Sequence, residues 1–191
     1  MQYVGGFFNL LNPFALLAAL AVVLLFIFHG ATYLSIKTEG EIEHRAKEIL
    51  HWSWLLVVLI LVIFIFTAFI TTDIRQRLSI LPILFPLLGA IAILVAGYFL
   101  RKGQYGRVFI MTCLTVAFVV LTIFAFLYPR VMVSSLNPAW SLTVENASSS
   151  FTTLRLMTIV TVIFLPIVIL YQGWTYWIFR KRVTGDVQKL T

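Results

Sequence analysis

The stretch Leu55-Leu56-Val57-Val58-Leu59-Ile60-Leu61-Val62-Ile63-Phe64 decides the fold. No polar residue interrupts it, so it lacks the alternation of a half-exposed or barrel strand. Its valines and isoleucines favour strand in water. In lipid, however, the backbone finds no water to bond, and a helix satisfies its N–H and C=O groups within one segment. Followed outward, the apolar run covers residues 52–70. That length suits a bilayer core of about 30 Å, which takes about 20 residues as helix.

Four further runs have the same character: residues 13–36, 80–100, 108–128 and 154–179. The expectation is an all-α polytopic membrane protein, a bundle of about five transmembrane helices forming one domain over residues 1–191. Composition agrees. Of the 191 residues 61% are hydrophobic and 11% charged, against about 45–50% and about 25% in soluble domains. Too few polar side chains remain to coat a soluble enzyme. A single cysteine excludes an intrachain disulfide framework. The net charge of +7 raises the question of nucleic acid, but the 14 basic residues fall between the apolar runs and form no basic face or arm. No nucleic-acid partner is expected.

The boundaries carry their own chemistry. Asn12-Pro13 places an N-cap before a proline at the first helical position. Ser148-Ser149-Ser150 and Thr152 offer caps for the fifth helix. Pro86 and Pro166 fall inside apolar runs, and Pro166 predicts a kink. Trp174, Tyr176 and Trp177 before Arg180-Lys181-Arg182 read as an aromatic belt with a basic anchor. Trp52 and Trp54 read as a second belt. Glu39–Glu48 reads as a solvated helical extension with Glu43 and Lys47 as an i,i+4 pair, and residues 129–150 as a long outer loop.

Five spans alternate the loops between two sides. One side carries Lys37, Arg45, Lys47, Arg101, Lys102, Arg107, Arg180, Lys181, Arg182 and Lys189; the other carries Arg75, Arg77, Arg130 and Arg155. Basic residues concentrate in cytoplasmic loops, which places the N-terminus outside and the C-terminus in the cytoplasm. The opening MQYVGGFFNLLN has no basic n-region and is not a recognisable signal peptide. An odd helix number with an outside N-terminus reads as the back end of a longer membrane protein.

Catalytic chemistry is sparse. All seven acids, Glu39, Glu41, Glu43, Glu48, Asp73, Glu145 and Asp186, lie outside the expected spans. A proton relay or cation site therefore has no carboxylate in the membrane core. No paired histidines and no P-loop occur, so neither catalytic nor metal-ligating residues are expected. Cys113 reads as a small packed hydrophobe. His29, in Phe28-His29-Gly30-Ala31, is the one cofactor-binding candidate, about 10 Å from the cytoplasmic end of its helix. It is either a haem ligand, proton relay or quinone hydrogen-bond donor, or a histidine bonded to a neighbouring helix that Gly30-Ala31 lets approach closely. The second is favoured, because no acid accompanies it in the span. Thr112, Thr115, Thr122, Thr158 and Thr161 read as helix–helix hydrogen-bonding residues, and Ala15/Ala19 and Ala92/Ala96 as close-packing pairs. Arg155 reads as snorkelling to headgroups and Gln172 as satisfying backbone freed by Pro166.

Two stretches resemble subunit 2 of the cytochrome bd-type quinol oxidases. The first is Phe7-Phe8-Asn9-Leu10-Leu11-Asn12-Pro13-Phe14-Ala15-Leu16-Leu17-Ala18, with Gly30-Ala31-Thr32-Tyr33-Leu34 and Lys37-Thr38-Glu39-Gly40-Glu41. The second runs from Tyr128-Pro129 through Ser134-Ser135, Ser141-Leu142-Thr143 and Asn146-Ala147-Ser148-Ser149-Ser150 to Leu165-Pro166-Ile167-Val168 and Tyr171-Gln172-Gly173-Trp174-Thr175-Tyr176-Trp177. The match is to the C-terminal half of the family's pattern, with a shorter loop around residues 71–77. The resemblance implies a non-catalytic subunit of a respiratory complex in the bacterial inner membrane that oxidises quinol and reduces dioxygen to water. It implies a haem-bearing subunit 1 as partner, with haems b and d held there, and a structural quinone in some members. His29 stands where some relatives carry Gln, which the resemblance sets against a haem-ligand role. The rival expectations are a small transporter or channel subunit and an oxidase assembly or anchor protein.

Overall fold

The computed structural model describes residues 11–71, 80–134 and 137–183. These fall into two compact units, residues 11–126 with Val183, and Leu127–Arg182.

The first unit is four helices: α1 (Pro13–Lys37), α2 (Glu41–Thr71), α3 (Leu81–Arg101) and α4 (Tyr105–Leu127). Asn12 caps α1, its Oδ1 accepting from the Ala15 N–H at 2.8 Å, with Pro13 in the first turn. α2 starts at Glu41, well before Trp52. Three i,i+4 pairs bind this polar extension: Glu41 with Arg45, Glu43 with Lys47 at 2.5 Å and Glu48 with His44 at 3.5 Å. Helix therefore continues from the apolar span into the polar segment, because these side-chain pairs bridge successive turns. α1 packs along α2, and α2 against α3.

Buried positions recur at three- and four-residue spacing. They are Ala21, Leu25, Phe28, Thr32 and Ser35 on α1; Ala46, Leu50, Ser53, Val57 and Leu61 on α2; Gly89, Ile93, Ala96 and Leu100 on α3; and Val108, Thr112 and Thr115 on α4. This is the spacing of knobs-into-holes packing. Many of these residues are small. Leu55, Leu59, Val62 and Phe66 lie exposed on the other side of α2. The two faces thus differ in side-chain size more than in polarity, as expected where lipid replaces water outside the bundle.

Trp54 differs from its expected belt role. Its Nε1–H donates to the Ile93 carbonyl of α3 at 3.0 Å. Gly97 makes the room: a Cβ there would overlap the Trp54 indole. Trp52 is exposed. Trp54 therefore locks α2 to α3, and only its neighbour has the exposure of a belt residue.

In the second unit the long outer loop carries short elements of its own. Strands β1 (Arg130–Met132) and β2 (Leu142–Thr143) pair antiparallel around a 3-10 turn, Pro138–Trp140. A four-residue helix, α5 (Val144–Ala147), follows. Its capping box is reciprocal: the Asn146 N–H donates to Thr143 Oγ1 at 3.3 Å and the Thr143 N–H to Asn146 Oδ1 at 2.7 Å. The Asn146 side chain also donates to the Ser141 carbonyl at 3.3 Å, so this asparagine is built into the fold of the connection. α6 (Phe151–Ile178) begins at Ser150, the serine of its triplet whose hydroxyl caps the helix, and Pro166 lies inside it without ending it. No residue of α6 is buried.

Five helices, α1 to α4 and α6, are long and apolar enough to cross a membrane. The chain is an all-α, multi-pass membrane protein by that measure. Residues 1–10, Asp73, Arg75, Arg77, Asp186 and Lys189 lie outside the described residues, and with them most of the N-terminal stretch and of the loop around residues 71–77.

Candidate functional site

His29 is placed by α1 facing α4. Its Nδ1 lies 2.8 Å from Thr112 Oγ1. Thr112 Oγ1 is in turn 2.8 Å from the Phe109 carbonyl, to which it donates. A hydroxyl has one proton, so with that proton on the carbonyl Thr112 accepts from His29 Nδ1–H. In the neutral ring this leaves Nε2 with the lone pair. The ring plane is fixed as well, stacked on Phe109 at 5.0 Å between centroids with 20° between planes; Tyr33 approaches the same ring at 5.9 Å. Gly30 has no part in this approach, since a Cβ there would meet nothing within 4 Å, whereas Ala31 is buried.

The geometry gives His29 a defined orientation and a hydrogen bond across helices. Thr112 is 83 residues away in sequence, so no local pattern announces it. The other threonines differ from the expectation of interhelical bonds. Thr115, Thr122, Thr158 and Thr161 each donate to the carbonyl four residues earlier in their own helix. Thr158 and Thr161 are exposed on α6.

A second feature of the four-helix unit is a cavity of about 110 Å³ near the end where α1 begins. Its wall includes Ala21 of α1, Leu61 of α2, Pro86 and Gly89 of α3, and Thr115 and Thr122 of α4. Both hydroxyls are spent on their own helix, so the wall has no donor to spare for water, which needs two to four polar partners. It carries no histidine, cysteine, methionine or tyrosine, the residues that ligate haem iron. A haem therefore does not fit this wall. Among the described residues no cluster of three metal-ligating side chains occurs.

Cys113 is exposed, not packed inside. Arg155 and Gln172 are exposed on α6. His44 and His51 lie on the polar start of α2, His51 Nδ1 at 2.8 Å from the Lys47 carbonyl.

Five long apolar helices with an oriented imidazole and, among the described residues, no ligand cluster are compatible with many membrane folds, and sequence relationships decide among them. Residues 1–179 match the family described as cytochrome bd terminal oxidase subunit II. The chain belongs to this family. It is 36% identical over 174 residues to the cytochrome bd ubiquinol oxidase subunit 2 of Bacillus subtilis (strain 168), covering 91% of this chain and 52% of that protein. It is 32% identical over 221 residues to the cytochrome bd-I ubiquinol oxidase subunit 2 of Escherichia coli (strain K12), covering 100% of this chain and 58% of the relative. That alignment is longer than the chain itself, so the E. coli protein has extra residues within the matched stretch. A probable cytochrome oxidase subunit 2 of Haemophilus influenzae is 30% identical, covering 92% of this chain and 54% of its own length. The chain spans about half the length of the curated relatives it matches.

Proposed function

We propose that the chain is a scaffold subunit of a bd-type terminal oxidase in the bacterial inner membrane, packed against a haem-bearing subunit 1 and supplying no catalytic side chain. The observation that carries this reading is the family match across residues 1–179. In the assembled complex, quinol is the electron donor and dioxygen the acceptor. Haems b and d are assigned to the partner, as the family resemblance implies. His29 serves as a packing residue between α1 and α4, its Nδ1 committed to Thr112. The unburied, predominantly apolar α6 supports the same reading, because a helix with apolar residues on every side needs lipid or protein around most of its length. The chain lies with its N-terminus outside and its C-terminus in the cytoplasm, as the loop charges direct.

The test is purification of the oxidase from its own membrane through a tag on this chain. The expected result is stoichiometric recovery with a haem-bearing partner and quinol-dependent oxygen consumption. Recovery of the active, haem-containing oxidase without this chain would overturn the scaffold reading. So would solute or ion transport by the chain alone in liposomes.

A further inference from the structure

Between residues 80 and 128 the sequence carries three charges, Arg101, Lys102 and Arg107, and no acid. The fold puts all three at one place, the turn from α3 to α4, where each is exposed. Gly103, at φ +68°, closes that turn, with Gly103 N–H donating to the Leu100 carbonyl and Gln104 N–H to that of Phe99, both at 3.0 Å.

What holds these cations differs from what holds those at the start of α2. There, Arg45 and Lys47 are neutralised by Glu41 and Glu43. At the α3–α4 turn the partners are rings. Lys102 Nζ lies 4.4 Å from the Tyr98 centroid, Arg107 Cζ 5.4 Å from that of Phe99, and Arg101 Cζ 5.7 Å from Trp54 of α2. A ring face attracts and orients a cation but leaves its charge in place. Gln104 Oε1 accepts from Arg107 at 2.9 Å and restrains that guanidinium further. The amides of Tyr105 and Gly106 open α4 ahead of any i−4 carbonyl, adding the positive end of a helix dipole to the same turn. Tyr98 and Tyr105 are residue types that settle at the headgroup level of a bilayer, the depth of the lipid phosphate.

We propose that the α3–α4 turn is a headgroup site for an anionic phospholipid, with Arg101, Lys102 and Arg107 attracting its phosphate. Snorkelling alone asks only that a charge reach water. Here three cations are mounted on rings around the first turn of a helix, in a stretch of sequence that carries no acid. The chemistry recognised is a phosphate ester, and depth selects the membrane over solution as its source.

The assembled oxidase in nanodiscs of phosphatidylcholine with a minor share of phosphatidylglycerol tests this, with retained lipid read by native mass spectrometry. The expected result is selective retention of phosphatidylglycerol, weakened about fivefold by each of Arg101→Gln, Lys102→Gln and Arg107→Gln. Arg45→Gln, whose charge is already neutralised, leaves retention unchanged. The variant carrying Arg101→Lys and Arg107→Lys keeps the preference, which separates loss of charge from loss of fold. Equal retention of both lipids, or an Arg45→Gln effect as large as the turn variants', would overturn the proposal. Displacement of the lipid by millimolar inorganic phosphate would overturn it too, marking a soluble-anion site.

Discussion

At His29 the fold converts an ambiguous residue into an oriented one. An imidazole in a span is a site candidate until its partners are known. Here Thr112 takes Nδ1, and Phe109 fixes the ring. Glutamine reproduces the donor, because its side-chain amide also bonds a hydroxyl. His29→Gln is therefore expected to leave the haem absorption and oxygen consumption of the assembled complex close to those of the parent. Loss of a haem band would assign His29 to a haem instead. Thr112→Val removes the acceptor and leaves the Nδ1–H without its partner. Interhelical hydrogen bonds in membranes average about 0.6 kcal/mol, so the expected loss is small and measurable as earlier thermal unfolding in detergent. His29 was legible as a candidate in the sequence, but its partner was not. The same holds for Trp54: its indole reads as an interfacial anchor until Gly97 and the Ile93 carbonyl are seen to receive it.

Helices show where hydropathy stops informing. Length and apolarity mark each span, yet within a span leucine faces lipid and core alike. What separates the faces is size. Ala96 on α3 is fully buried, whereas Leu94 is exposed. Ala96→Leu forces a larger side chain into a packed seam and is expected to cost about 1–3 kcal/mol. Leu94→Ala removes a lipid-facing side chain and is expected to stay within about 0.5 kcal/mol. Thermal unfolding of the two variants in the same detergent makes the comparison, and equal effects would contradict the assigned seam. The small pairs divide the same way. Ala92 and Ala96 are buried, while Ala19 is exposed, so small-xxx-small spacing alone does not choose a packing face. Polar extension of α2 was legible from Glu43 and Lys47, because i,i+4 pairs lie within a few residues of each other. The hairpin between residues 129 and 150 was not, because its strands of three and two residues are too short for periodicity to register.

For the whole molecule, the distribution of basic residues predicts how the chain is oriented in its membrane. A reporter fused after Thr191 is expected to be active only in the cytoplasm, and periplasmic activity would invert the map. Family membership adds what neither charge nor hydropathy carries, and it rests on a match to the subunit II family over residues 1–179. Among the described residues the chain presents an intramembrane imidazole bonded across helices, an apolar cavity and a basic turn.

The sequence by itself determined the number of spans, their approximate ends and the charge asymmetry between their loops. Each of these follows from local composition measured against the thickness and dielectric of a bilayer. Only the tertiary structure decided which face of each helix turns inward, that His29 meets Thr112, and that three turn cations rest on rings. The reason is physical. In water the hydrophobic effect writes burial into the sequence as polarity, but in lipid both sides of a helix are apolar. Burial is then set by shape and by partners far away along the chain.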